Sequence, residues 1–242
     1  MSSISETGHA VNVANLQKMI EQISVLTNYN PPVAQLSVSA LQTLYNTAMV
    51  KLSEVEEKRR ANKASIDNRK IAFEKLKPTT TKIMNLLDVL GLSEGTMNQV
   101  KSINRAIQGN SKRASEKPTV EGAEPPKTIS TSRQSYTEQA DSFRTLLQIL
   151  ETFPSYTPNE DLLKIANLKT YYETLMSTTQ AVNQTEAELN NQLIDRDKLL
   201  YANDTGMYSL ALDVKKYIKS LYGATSPEYK NISAIELRTS VR

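Results

Sequence analysis

The chain has no cysteine, no tryptophan, one histidine and seven glycines in 242 residues. Each shortage removes a class of chemistry. Without cysteine there is no disulfide, no thiol nucleophile and no cysteine-ligated metal. A single histidine cannot supply the paired Glu-x-x-His motifs that di-iron bundles need on facing helices. That histidine, His9, falls in a polar start, residues 1–11, which is expected to fray and to give it no neighbour to work with. Glycine-rich phosphate loops and serine-nucleophile elbows are missing too. Carboxylates cluster at Glu54/Glu56/Glu57 and at Glu186/Glu188, but their spacing puts them on solvated helix faces. The expectation is therefore a non-enzyme, with no catalytic, cofactor-binding or metal-ligating residue, no cofactor and no evident small-molecule substrate.

Long apolar runs are also scarce. The longest, residues 83–92, is interrupted by Asn85 and Asp88 and is far shorter than the roughly 20 apolar residues a bilayer requires. The start carries neither a basic region nor an apolar core of the secretory kind, so the expected location is cytoplasmic. With 39% hydrophobic residues and no strand-like alternation, the sequence reads as a soluble all-α protein.

What is present is a repeat. Tyr29-Asn30-Pro31-Pro32 aligns with Tyr156-Thr157-Pro158-Asn159 at an offset of 127. Upstream, Leu16, Met19, Ile20 and Ile23 then fall on Phe143, Leu146, Leu147 and Leu150. Downstream, Leu41, Tyr45, Met49, Val55 and Arg69 fall on Leu168, Tyr172, Met176, Val182 and Arg196. So many apolar positions in register indicate a tandem duplication. The expected organisation is helical module 1 over 1–107, a flexible linker over 108–133 and helical module 2 over 134–242.

Each module reads as short helix, long helix, short helix. In the first copy, a helix over about 13–27 carries its apolar stripe at 16, 19, 20, 23 and 26. Asn30 can cap the next helix, and Pro31 suits its first turn. That helix, about 33–76, places positions 41, 45, 48, 52, 55, 59, 62, 66, 69, 73 and 76 at alternating spacings of four and three, a heptad seam. Pro78 is expected to stop it. Further helices are expected over 79–90, with Gly91 as terminator, and over 94–107. In the second copy, Ser135 and Glu138 form a capping box for a helix to about 152. Thr157-Pro158-Asn159-Glu160 reads as another such box, opening the second long helix. Asp204-Thr205-Gly206 breaks that helix, 207–222 forms the next, and Ser226-Pro227 starts a last short one. Packed seam to seam, the modules would make an elongated helical bundle with the two long helices as its spine.

Charge is uneven. Residues 1–107 hold 13 basic and 9 acidic groups, whereas residues 134–242 hold 11 and 14. Opposite signs can attract across the protein's own interface, or the basic half can face an acidic partner. Within the seam, Arg59 corresponds to Glu186, and a pseudo-twofold packing would bring the two together mid-spine. Alternatively, both reach to solvent. Arg69 and Arg196, each beside acids, read as intrahelical ion-paired arginines. Nine of eleven tyrosines lie in the second module. Tyr208, Tyr217, Tyr222 and Tyr229, in or just after the helix at 207–222, make the candidate interaction surface, because tyrosine is enriched at protein interfaces.

The second module, with Tyr-x-Pro-Asn-Glu from 156, Tyr-x-x-x-Thr-Gly at 201–206 and Asp-Val-Lys-Lys-Tyr-Ile-Lys-Ser-Leu-Tyr-Gly-Ala-x-Ser-Pro-Glu-Tyr-Lys at 213–230, resembles a group of uncharacterised bacterial helical-duplication proteins of the Bacteroidota type. The resemblance covers both modules; the first departs from it, with Lys77-Pro78-Thr79 in place of Asp204-Thr205-Gly206. It implies a bacterial origin and a repeat architecture and carries no activity.

The functional expectation is a structural or protein-interaction bundle, acting through a protein partner or self-association. A second reading is a membrane-active, pore-forming-like helical protein, for which 83–92 and 207–221 are the weak apolar candidates. A third is nucleic-acid binding through Lys112, Arg113, Lys117 and Lys127 of the linker, against which stand the interleaved Glu116, Glu121 and Glu124.

Overall fold

A computed structural model describes residues 4–109 and 135–238, with side chains from residue 8 onward in the first segment. The linker basic residues and most of the expected flexible linker lie outside the described residues. All regular structure among the described residues is helical: α1 Ile4–Ser24, α2 Val38–Glu74, α3 Leu76–Leu90, α4 Glu94–Gln108, α5 Tyr136–Glu151, α6 Ile165–Tyr201, α7 Met207–Tyr222 and α8 Pro227–Ser233. The protein is all-α.

Several helix ends follow the expected chemistry. Ser135 and Glu138 complete a reciprocal capping box at the start of α5. Ser226 caps α8, with Pro227 in the first turn where its missing N–H costs nothing. Gly91 ends α3 in the left-handed region, at φ 68°. Gly206 has a different reason to be glycine. A Cβ there would lie 2.5 Å from the Ala202 nitrogen and 2.6 Å from its oxygen, so only a bare Cα lets the chain turn so closely under the end of α6.

Other ends differ from expectation. α1 begins at Ile4, so the expected fraying of residues 1–11 does not hold for residues 4–11. The long helices do not start at the prolines. Each is preceded by one 3-10 turn, Ala34–Leu36 and Asp161–Leu163. The reason is a tyrosine. Tyr29 donates its hydroxyl to the Leu36 carbonyl at 2.6 Å, and Tyr156 donates to that of Leu163 at 2.8 Å. The turn is thereby tied back to the end of the preceding helix, and the α-helix opens only afterwards. Ser37 then receives the Ala40 N–H on its hydroxyl and takes the capping role expected of Asn30. Pro78 is inside α3 rather than at a stop. Lacking an N–H, it cannot bond the Glu74 carbonyl, so α2 ends at Glu74 and α3 resumes at once with Pro78 in its first turn.

The described chain divides into two compact units, one drawn from Met1–Asn62 with Thr185–Arg242 and the other from Lys63–Gln184. This division differs from the sequence modules 1–107 and 134–242. Both boundaries fall inside the long helices, because α1 packs on α7 and α8, while α4 packs on α5. Each unit therefore takes one end of α2 and one end of α6.

In the first unit the core consists of Leu16, Met19 and Ile23 of α1, Leu41 and Ala48 of α2, Leu200 of α6 and Met207, Val214 and Ile218 of α7, with Ile232 of α8. Here α2 and α6 run antiparallel. Lys51 reaches Gln192 at 3.1 Å, Lys58 reaches Glu188 at 2.9 Å, and Thr185 donates to Asn62 at 3.1 Å, so one number falls as the other rises. In the second unit the core joins Phe73, Ile83 and Leu87 to Val100 and Ile107 of α4, Phe143, Leu146 and Leu150 of α5, and Leu168 and Leu175 of α6. Tyr171 of α6 donates there to the Ala72 carbonyl of α2 at 2.8 Å. Of the expected α2 seam, all positions are buried or half-buried except Ile66, which is 42% exposed.

Candidate interaction site at the carboxy-terminal tail

Where α1, α6 and α7 meet in the first unit, three polar side chains are removed from water. His9 is 2% exposed, Asn12 1% and Arg196 5%. A buried polar group must find partners, and these do. The Asn12 amide donates to the Tyr201 hydroxyl at 3.0 Å and to the Arg238 carbonyl at 2.6 Å. Its oxygen accepts the Arg238 N–H at 2.9 Å, which fixes the orientation of the amide. Tyr201, having accepted from Asn12, also shares a hydrogen bond with His9 Nδ1, 2.7 Å away. Burial pushes the Tyr201 hydroxyl above its ordinary value, with Asn12 and Arg196 opposing.

His9, placed in the sequence reading among frayed residues without a neighbour, is thus a packed member of this network. One helix turn beyond Asn12, Asn15 donates to the Glu236 carbonyl at 2.7 Å. From α7, Lys215 donates to the carbonyls of Ser233 at 3.2 Å and Ile235 at 2.5 Å. Its ammonium is held below the ordinary lysine range by burial, with Glu236 acting the other way. The segment that follows α8 is therefore gripped by its main chain. Its side chains alternate: Ile235 and Leu237 pack half-buried on the core, while Glu236 and Arg238 point to water.

The four tyrosines expected to form an interaction surface are all half-buried. Tyr217 donates to the Asn30 carbonyl at 2.7 Å and meets the Tyr29 ring edge-on. Tyr222 and Tyr229 pack on the core of the first unit, and Lys219 lies over the Tyr229 ring. Tyr208 is half-buried near the start of α7. At the level of the expected Arg59–Glu186 pair, Lys58 forms an ion pair with Glu188; Arg59 is half-buried and Glu186 exposed. Arg196 pairs with Asp197 at 2.7 Å, as an intrahelical arginine should. Arg69 does otherwise: its guanidinium lies 4.4 Å from the centre of the Tyr136 ring, and its Nε finds no acceptor among the described residues.

Sequence reasoning missed Asn12, Asn15, Tyr201 and Lys215. One signal was available. Ile235-Glu236-Leu237-Arg238 alternates with period two, the mark of an extended segment with one face buried. Elsewhere, a hollow of about 270 Å3 lies between α5 and α6, lined by Arg144, Glu151, Lys169 and Tyr172; Lys169 and Glu151 form an ion pair across it. No group of three or more metal-ligating side chains occurs among the described residues, and no described helix is long and apolar enough to cross a membrane. No family model matches the chain, and no curated protein or solved structure matches it significantly.

Proposed function

We propose that this is a non-catalytic structural or protein-interaction protein, built by duplication of one helical module. The observation that carries the reading is the use made of its tyrosines. Tyr29, Tyr156, Tyr171 and Tyr217 each direct the hydroxyl at a main-chain carbonyl, where it fixes a turn or ties two helices together. These four hydroxyls are committed to architecture. The duplication is supported by recurrence at one offset. The 3-10 turns, the tyrosine bonds that tie them and the two 37-residue helices all repeat 127 residues apart.

The long helices present exposed apolar side chains at matching positions, Met49 and Met176, 48% and 41% exposed. A photo-crosslinking residue placed at either position in the source cell should trap a discrete protein partner or a second copy. Crosslinks no stronger than those from a charged surface position such as Lys70 would overturn the reading.

A further inference from the structure

The grip on the tail is unusual in what it touches. Five main-chain groups, the carbonyls of Ser233, Ile235, Glu236 and Arg238 and the N–H of Arg238, are held by three side chains, Asn12, Asn15 and Lys215. Side-chain amides in an i,i+3 row on a helix present a ladder to an extended chain lying across it. The Asn12 amide matches donor to carbonyl and acceptor to N–H at one residue, a pairing that any non-proline residue can offer. Such contacts read a polypeptide without reading its polar side chains. Glu236 and Arg238 fit this: their side chains are 76% and 84% exposed, and Glu236 adds only its charge near Lys215. Selectivity is left to the two apolar positions, 235 and 237, two residues apart on the buried face.

We propose that this groove between α1 and α7 is a peptide-binding site for a partner's extended segment with branched apolar residues at alternate positions, and that residues 235–238 are its resident ligand. The tail occupies the groove in cis and is displaced by a partner segment of the same pattern. His9 and Tyr201 act as positioning residues, holding the Asn12 amide ready whether or not the groove is filled. The inference rests on the interaction-protein reading above and names the partner that reading leaves open. A tethered tail competes at an effective concentration in the millimolar range, so the groove is closed to weak ligands until the tail is released.

The test uses the full chain. Ile235→Ser with Leu237→Ser should free the tail and leave the groove intact. A fluorescent peptide of sequence 233–242 should bind this variant, and should bind the wild-type chain at least about tenfold more weakly because the tail competes. Exchanging the residues at positions 236 and 238 of the peptide for other polar residues should change affinity by less than about threefold, whereas serine at both 235 and 237 should lower it by at least about tenfold. No binding to a variant that keeps its helical circular dichroism, or equal binding to both chains, would overturn the proposal. Should the double variant lose its fold, the wild-type chain decides: hydrogen exchange at the Arg238 amide should quicken as peptide is raised to millimolar levels, and an unchanged rate would overturn it. A wild-type chain that dimerises through its tail, with the dimer lost on Leu237→Ser, would assign the groove to a second copy instead and equally overturn the proposal. None of these results bears on the crosslinks from Met49 and Met176, so the two readings fall separately.

Discussion

Replacing Tyr156 by Phe removes one oxygen and nothing else, at the point where the second long helix is launched. The ring is 4% exposed, and its hydroxyl gives the Leu163 carbonyl a partner in a setting closed to water. Deleting the donor loses a net bond of about 1 kcal/mol, and leaving a buried carbonyl short of a partner brings the cost to about 1–3 kcal/mol. For a chain of this size each kcal/mol lowers Tm by roughly 2–4 °C. Tyr29→Phe makes the same deletion at the counterpart, whose ring is half-buried rather than buried, and should cost less, about 1 kcal/mol. Calorimetry of the two variants gives the comparison, and hydrogen exchange over the first turn of α6 shows where the loss falls. The alkaline limb adds a second readout. Burial, and the charge of Glu160, push the Tyr156 hydroxyl from an ordinary value of 10.0 up to about 12. A group whose pKa is raised by folding contributes stability that is whole below its unfolded value and lost as pH rises through the folded one. Wild-type stability should therefore fall between about pH 10 and 12, and less steeply in Tyr156→Phe. Equal costs at the two tyrosines, the reverse order, or an unchanged alkaline slope would refute the reasoning.

Gly206→Ala should destabilise by about 1–3 kcal/mol, seen as a lower denaturation midpoint, because the new Cβ meets main-chain atoms of Ala202 that cannot swing aside. Phe143→Ala empties a fully buried site in the second unit and should cost about 3–5 kcal/mol, with amide protection in α4 and α5 falling first. Ser135→Ala removes a capping box and should cost about 1 kcal/mol, measured by chemical denaturation. Asn12→Ala should speed exchange of the Arg238 amide and cost about 1–3 kcal/mol, since the side chain is 1% exposed and holds three partners.

Much of the fold was legible because helices write their packing into spacing. The stripe at Leu16, Met19, Ile20 and Ile23 is buried as its 3.6-residue period requires, and α7 occupies the range its Gly206 and Gly223 punctuation marks out. The long-helix starts were less legible because local proline chemistry was overruled from seven residues away, by the phenols of Tyr29 and Tyr156. Partnership among the shorter helices was not legible, although the two long helices were expected to lie side by side, as α2 and α6 do. Apolar stripes state that a face is buried but not against what, so α1 could not be assigned to α7 from sequence. The tail site was hidden for a related reason. Asn12 and Asn15 are ordinary residues on a helix, and only the fold lays an extended main chain across them, 226 and 221 residues away in sequence.

The division of the long helices between the two units has a consequence for synthesis. Residues 63–184 form one uninterrupted stretch and can complete their unit while the chain is still on the ribosome. The other unit needs the segments on both sides of that stretch. α1 leaves the ribosome well before α7, yet its apolar stripe is covered by α7, which begins at Met207. At 5–20 residues per second, α1 stays uncovered by its final neighbour for roughly 10–40 s. A helix made early is thus among the last of the described helices to find its place, and any factor that shields nascent apolar surface has a long opportunity there.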